Sequence, residues 1–149
     1  MLVQDVMTEQ VFTLQPDRKL LIAEDLMEWA EVRHIPVVDD DQRVVGIVTL
    51  SDMLRASTPR LGNPAEVFDA KQQLAKLQVQ DIMSEPVCID AKATVQAAAR
   101  MMRAGKRSCL PVVDNHDKLL GIVTVHDMLA IVEELDPAAL AAGPGPAVG

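Results

Sequence analysis

The sequence predicts an α+β fold in which one β-α-β-β-α unit is written twice. Three observations lead there. The first is a repeat: GIVTLSDML at Gly46–Leu54 returns as GIVTVHDML at Gly121–Leu129, and internal repetition on this scale marks a duplicated supersecondary unit. The second is an apolar spacing that switches between strand-like and helix-like within each copy. The third is composition. Of 149 residues, 49% are hydrophobic but only 2% aromatic, so the core must be aliphatic. Small units bury a small share of their surface, so the two copies must lean on each other.

The elements follow in order. Pro36 to Leu54 aligns with Pro111 to Leu129 at a separation of 75 residues, whereas Asp5-Val6-Met7 matches Asp81-Ile82-Met83 at 76. One residue has therefore been gained or lost, between Glu9 and Thr13. Each copy has a short β segment, Val11 to Leu14 or Val87 to Ile89. A helix follows, marked by Leu20, Ala23 and Met27 or by Val95, Ala98 and Met102, which fall on one face. A strand opens at Pro36 or Pro111, where proline is tolerated at a strand start. A polar turn, DDDQR or DNHDK, makes a hairpin with Val44 to Leu50 or Leu119 to Val125. A second helix opens at Asp52-Met53-Leu54 and at Asp127-Met128-Leu129. Between the copies, Asn63-Pro64-Ala65-Glu66 is a helix start with a capping residue, a first-turn proline and a following acid. It predicts a linker helix from Pro64 to about Gln78. The chain thus divides into motif one (1–62), a linker helix (63–79), motif two (80–136) and a Gly/Pro-ended, disordered tail (137–149).

Composition also excludes classes. The net charge is −8 and the isoelectric point is near 4.7, without the basic face of a nucleic-acid binder. No run approaches the ~18 apolar residues of a membrane span, and no leader pattern opens the chain, so a cytoplasmic location is expected. Cys88 and Cys109 have neither C-x-x-C spacing nor a histidine motif, and read as small buried hydrophobes. No Ser/His/Asp frame, metal cluster or Gly-rich phosphate loop is written in the chain, so an enzyme is not expected.

The ordered set Asp5-Val6-Met7, His34 to Asp39 and Gly46 to Asp52, with its second copy Asp81 to Met83, Cys109 to Asp114 and Gly121 to Asp127, resembles the tandem CBS domain, or Bateman module, in stand-alone form. The resemblance spans roughly residues 1 to 135. It implies a sandwich-like α/β packing of two motifs about a pseudo-two-fold axis, and pairs of chains associating into a disc-like homodimer. It also implies clefts that take AMP, ADP, ATP or S-adenosylmethionine as regulatory ligand, with no obligatory cofactor. Such a module is regulatory and acts on a separate effector protein.

The residues support a division of labour. Thr49-Leu50-Ser51-Asp52 spans a strand end and a helix start, where unpaired N–H groups and the positive dipole end suit phosphate. Thr49 adds a hydroxyl. Asp52 repels phosphate but accepts from a ribose diol. Thr124 and Asp127 repeat the arrangement. The same pattern is also a capping box, in which both side chains satisfy helix-end donors. For the base, Ile35 and Leu110 are candidate walls, and the resemblance adds Thr13 and Ile89 from the first strand. Candidate phosphate cations are Arg33 and His34 in copy one and Lys106 and Arg107 in copy two, with His126 inside the second Thr-x-x-Asp motif. Lys106, Arg107 and His126 together point to copy two as the better polyphosphate site. Three alternatives stay open: S-adenosylmethionine as ligand, a structural dimerisation module with empty clefts, and a small enzyme.

Overall fold

The computed structural model describes residues 1–57, 72 and 74–141. Repeat one supplies α1 (Leu20–Ala30), β1 (His34–Val38), β2 (Val44–Thr49) and α2 (Leu50–Ser57). A short helix, α3 (Val79–Ile82), leads into β3 (Ile89–Asp90), α4 (Val95–Gly105), β4 (Cys109–Val113), β5 (Leu119–Thr124) and α5 (Val125–Glu134).

The two halves repeat in register. β1 and β2 pair antiparallel with Pro36 opposite Ile47, and β4 and β5 pair with Pro111 opposite Ile122. Each hairpin turn is built the same way. Asp39 Oδ1 accepts from the N–H groups of Asp41 and Arg43, both at 2.9 Å. Asp114 Oδ1 accepts from His116 and Lys118 at 2.8 and 3.0 Å. These bonds hold the Asp114 carboxyl below its ordinary pKa. Gln42 and Asp117 take the left-handed position of each turn, at φ 64° and 62°. The helical faces are the expected ones: Leu20, Ala23 and Met27 are buried on α1, and Val95, Ala98 and Met102 on α4.

Three expectations are corrected. The strand expected at Val11–Leu14 shrinks to a single parallel bridge between Leu14 and Val37. Its counterpart is the two-residue β3, parallel to β4. The chain is helical at 72 and 74–76, but Gln78 instead bridges to Lys19, so the linker helix stops short of Gln78. Its start at 63–71 lies outside the described residues. The expected disordered tail begins with a helix, α6 (Pro137–Ala141). The sequence explains it: Asp136 Oδ1 accepts from Ala138 N at 2.9 Å, and Pro137 sits at the first helical position.

The opening segment of each repeat crosses to the other. Val3 and Gln4 donate to Ala93 O and Ala91 O, both at 2.9 Å, and Thr8 exchanges two 2.9 Å bonds with Ile122. Val79 and Gln80 donate back to Arg18 O and Pro16 O at 2.8 and 2.9 Å, while Ser84 pairs with Ile47. Val3 therefore belongs to the second core, with Ile89, Leu110 and Val123, and Val79 to the first, with Ile35, Val37 and Val48. A third, smaller cluster of Ile47, Cys109 and Ile122 sits where the halves meet.

This crossing explains the glycine of each GIVT. A Cβ on Gly121 would stand 2.6 Å from Thr8 O and 2.9 Å from Met7 Sδ. A Cβ on Gly46 would stand 2.5 Å from Met83 Sδ. The recurring methionines Met7 and Met83 are thus packing residues seated on the opposite repeat's glycine.

Candidate functional site

Two clefts open along the junction of the repeats. The first, of about 490 Å³, is entered by the start of α2, with Thr49, Ser51 and Asp52. Its opposite wall comes from repeat two: Lys106, Arg107 and Ser108 after α4, then Cys109 and Pro111 on β4. The second, of about 590 Å³, is entered by Thr124, Val125 and His126 and faced by Glu31, Val32 and Arg33 of repeat one. Both fall within the roughly 300–1,000 Å³ of small-molecule sites. Arg33, His34 and Ser108 line both clefts, and the wall between them is tied by a 2.7 Å bond between His34 Nε2 and Ser108 Oγ. Burial, and then the neighbouring Arg33 charge, hold His34 below its ordinary pKa of 6.5.

The Thr-x-x-Asp motifs form reciprocal caps. Thr49 N donates to Asp52 Oδ2 at 2.9 Å and Asp52 N to Thr49 Oγ1 at 3.2 Å. In repeat two, Asp127 Oδ2 accepts from Thr124 N at 2.7 Å and from Thr124 Oγ1 at 2.9 Å, while Asp127 N donates to Thr124 Oγ1 at 3.3 Å. The first helical N–H is also engaged: Leu50 N donates to Arg33 O and Val125 N to Ser108 O, each at 2.9 Å. Two of the four open donors of each helix start are therefore satisfied within the chain.

The carboxylates then diverge. Asp52 is 8% exposed, and its second oxygen takes a 2.6 Å ion pair from Arg55. Asp127 has Ala130 where Asp52 has Arg55, and its Oδ1 meets no hydrogen-bond partner among the described residues. Asp127 itself does not line the second cleft.

The structure brings Thr49, Asp52, Arg33, His34, Lys106 and Arg107 together in the first cleft. It places Thr124 and His126 with Arg33 and His34 in the second. The grouping of Lys106 and Arg107 with His126 is not formed, because each repeat's cations face the other repeat's helix start. Ile35 and Leu110 are not cleft walls: both are fully buried in the two cores. Ile89 is buried in the second core, and Thr13 lines neither cleft. Leu14 bridges Val37 as Ile89 pairs Val112, so Thr13 corresponds to Cys88 rather than to Ile89.

The apolar wall sequence reasoning missed is one residue away, on the other face of each strand. It comprises Cys109, Pro111 and Ile47 in the first cleft, and Ile122 with Val11 and Phe12 in the second. Successive strand residues point to opposite faces, but both faces of β1 and β4 are buried, so no alternation marked the choice. Burial pushes the Cys109 thiol up to about 12 and, with the nearby Asp117 charge, the Cys88 thiol to about 11. Both stay protonated, consistent with packing residues.

The CBS domain family pattern matches residues 3–58 and 79–134, which contain both helix starts and both cation-bearing turns. The chain belongs to the CBS domain family. It is 33% identical over 138 residues to a CBS domain-containing protein of Dictyostelium discoideum, covering 91% of this chain and 94% of that one. It is 29% identical over 126 residues to the inosine-5'-monophosphate dehydrogenase of Methanocaldococcus jannaschii, covering 84% of this chain but only 22% of that enzyme. Among solved structures it is similar to CBSX2, a CBS-pair protein of Arabidopsis thaliana. The CBSX2 crystal structure in complex with AMP has a TM-score of 0.77 at 27% identity, covering 91% of this chain and 98% of that one. The chain is therefore a tandem CBS pair of α+β class. No helix among the described residues is long and apolar enough to cross a membrane.

Proposed function

We propose that this CBS pair is a regulatory sensor rather than an enzyme. It binds an adenosyl ligand in the clefts between its repeats and passes a conformational change to an effector protein. The observation that carries the reading is the first cleft itself. The start of α2 and the hydroxyls of Thr49 and Ser51 face Lys106 and Arg107 across an apolar floor of Ile47, Cys109 and Pro111. That is a phosphate end and a base end within one small-molecule volume. The similarity to CBSX2, crystallised with AMP, supports the same ligand class. Because each cleft takes walls from both repeats, a ligand favours the arrangement in which they are closest. It shifts the pair by its differential affinity for the two states.

A homodimer is supported by the apolar faces of α2 and α5, where Leu54 is 61% and Leu129 57% exposed beside Leu50, Val125 and Val132. The reading of a structural dimerisation module draws on Asp52, both of whose oxygens are engaged. Calorimetric titration with AMP, ADP, ATP and S-adenosylmethionine separates the two. The sensor reading expects saturable binding, and at a hundredfold excess over Kd about 3 kcal/mol of added stability. No heat and no thermal shift with any of the four, by folded protein, would leave the structural module.

A further inference from the structure

The clefts are related by the repeat, yet their charges are not. The cation-bearing turns occupy equivalent places: Glu31 ends α1 and Lys106 ends α4, both left-handed, at φ 54° and 50°. At matching backbone, repeat one presents Glu31-Val32 to the second cleft and repeat two presents Lys106-Arg107 to the first. Counting the lining residues, the first cleft holds Arg33, Arg55, Lys106 and Arg107 against Asp52 and Glu85. The second holds Arg33 against Glu31. Arg55 is spent on Asp52. Arg33, Lys106 and Arg107 enter no ion pair among the described residues. In a chain of net charge −8, a local positive cleft with low-dielectric walls concentrates anions. Backbone donors cannot level the difference, because each helix start spends the same two on its own chain.

Resting on the adenosyl reading for the identity of the base, we infer that the two clefts take ligands of different charge: the first a polyphosphate chain, as on a nucleoside di- or triphosphate, the second a nucleoside group without one. The ribose side agrees. Asp52 is closed to a diol by Arg55, so the first cleft recognises its ligand mainly through phosphate. The second offers Phe12, whose ring meets Trp29 edge-on with centroids 5.9 Å apart, an aromatic surface that the first cleft replaces with Val87.

The test transplants one turn onto the other. Lys106→Glu with Arg107→Val writes repeat one's own Glu31-Val32 at the same left-handed cap, so the backbone already accommodates it. Binding of ATP, adenosine and inorganic tripolyphosphate is measured by calorimetry. Trp29, the chain's single tryptophan, reports the second cleft by fluorescence. Wild type is expected to bind ATP and tripolyphosphate at one site per chain without displacing adenosine from the Trp29 signal. The double variant should weaken both polyphosphates by at least about tenfold, the scale of one lost charge-assisted bond, and leave adenosine unchanged. Glu31→Lys should open the second cleft to ATP. Unchanged ATP affinity in the folded double variant, or ATP reporting first through Trp29, overturns the partition. Failure of adenosine and ATP, with tripolyphosphate binding kept in wild type and lost in the variant, would sink the adenosyl reading but leave the charge partition standing.

Discussion

The two clefts share a backbone and differ in what the opposite repeat brings to it. Both are entered by a Thr-x-x-Asp cap whose first helical N–H is bound to the carbonyl preceding the opposing strand. Lys106 and Arg107 face the first cap, Glu31 and Val32 the second. The local motif sets a shared frame, and the specificity of each cleft is written about 60 residues away in the other half. Duplication therefore lets each cleft be retuned through the repeat that does not carry its cap.

The same asymmetry extends to packing. The largest expected contrast is between the two GIVT glycines. Gly121→Ala drives a Cβ into the Thr8 carbonyl at 2.6 Å, a backbone atom held by two bonds to Ile122. Gly46→Ala meets the Met83 side chain, which can turn away. Chemical denaturation should show about 3 kcal/mol lost at Gly121 and about 1 kcal/mol at Gly46. Equal losses would mean that the repeats yield alike.

Next come the caps. Asp52→Ala removes a buried carboxylate that holds both Thr49 N–H and Arg55. Asp127→Ala removes a cap alone. Losses of about 2 and about 1 kcal/mol are expected, the Arg55 contribution being limited by that side chain's exposure. A smaller effect of opposite sign is expected at the left-handed caps. Glu31→Gly relieves a strained backbone position and removes a negative charge from a helix C-terminus, so it should add about 0.5–1 kcal/mol. Lys106→Gly should add less, because it also removes a favourable charge. A Tm shift in each variant measures both.

The smallest effect is in pH. His34 has a folded pKa below its unfolded 6.5, so the unfolded chain binds the proton first. Stability is then lost as pH falls from 6.5 toward the folded value, and His34→Gln should flatten that loss. Cys109, its counterpart in repeat two, stays protonated throughout this range. Acid loss undiminished in the variant would place its source elsewhere.

Much of the fold was legible because its signals are local. The repeat, the one-residue offset, the buried faces of α1 and α4 and both hairpins follow from spacing within about 20 residues. The site was legible only to the same range. Thr49–Asp52 and Thr124–Asp127 were found because a helix start is a local device. The wall facing each was not. The crossing of Val3–Thr8 and Val79–Ser84 onto opposite cores, and the turn of Lys106 toward Thr49, are long-range pairings that no periodicity reports. Ile35 and Leu110 were misplaced for a related reason. On a strand buried on both faces, hydrophobicity does not say which face meets the cleft.

The central claim is that each cleft is assembled across the repeats, and a double-mutant cycle in ATP affinity tests it most directly. Lys106→Gly, which keeps the left-handed cap, is combined with Ser51→Ala at the first cleft and separately with His126→Ala at the second. Cross-repeat assembly expects Lys106 and Ser51 to be non-additive by about 0.5 kcal/mol or more, and Lys106 and His126 to add. Coupling of Lys106 to His126, with additivity toward Ser51, would contradict it and return the cations to the site that linear proximity proposed.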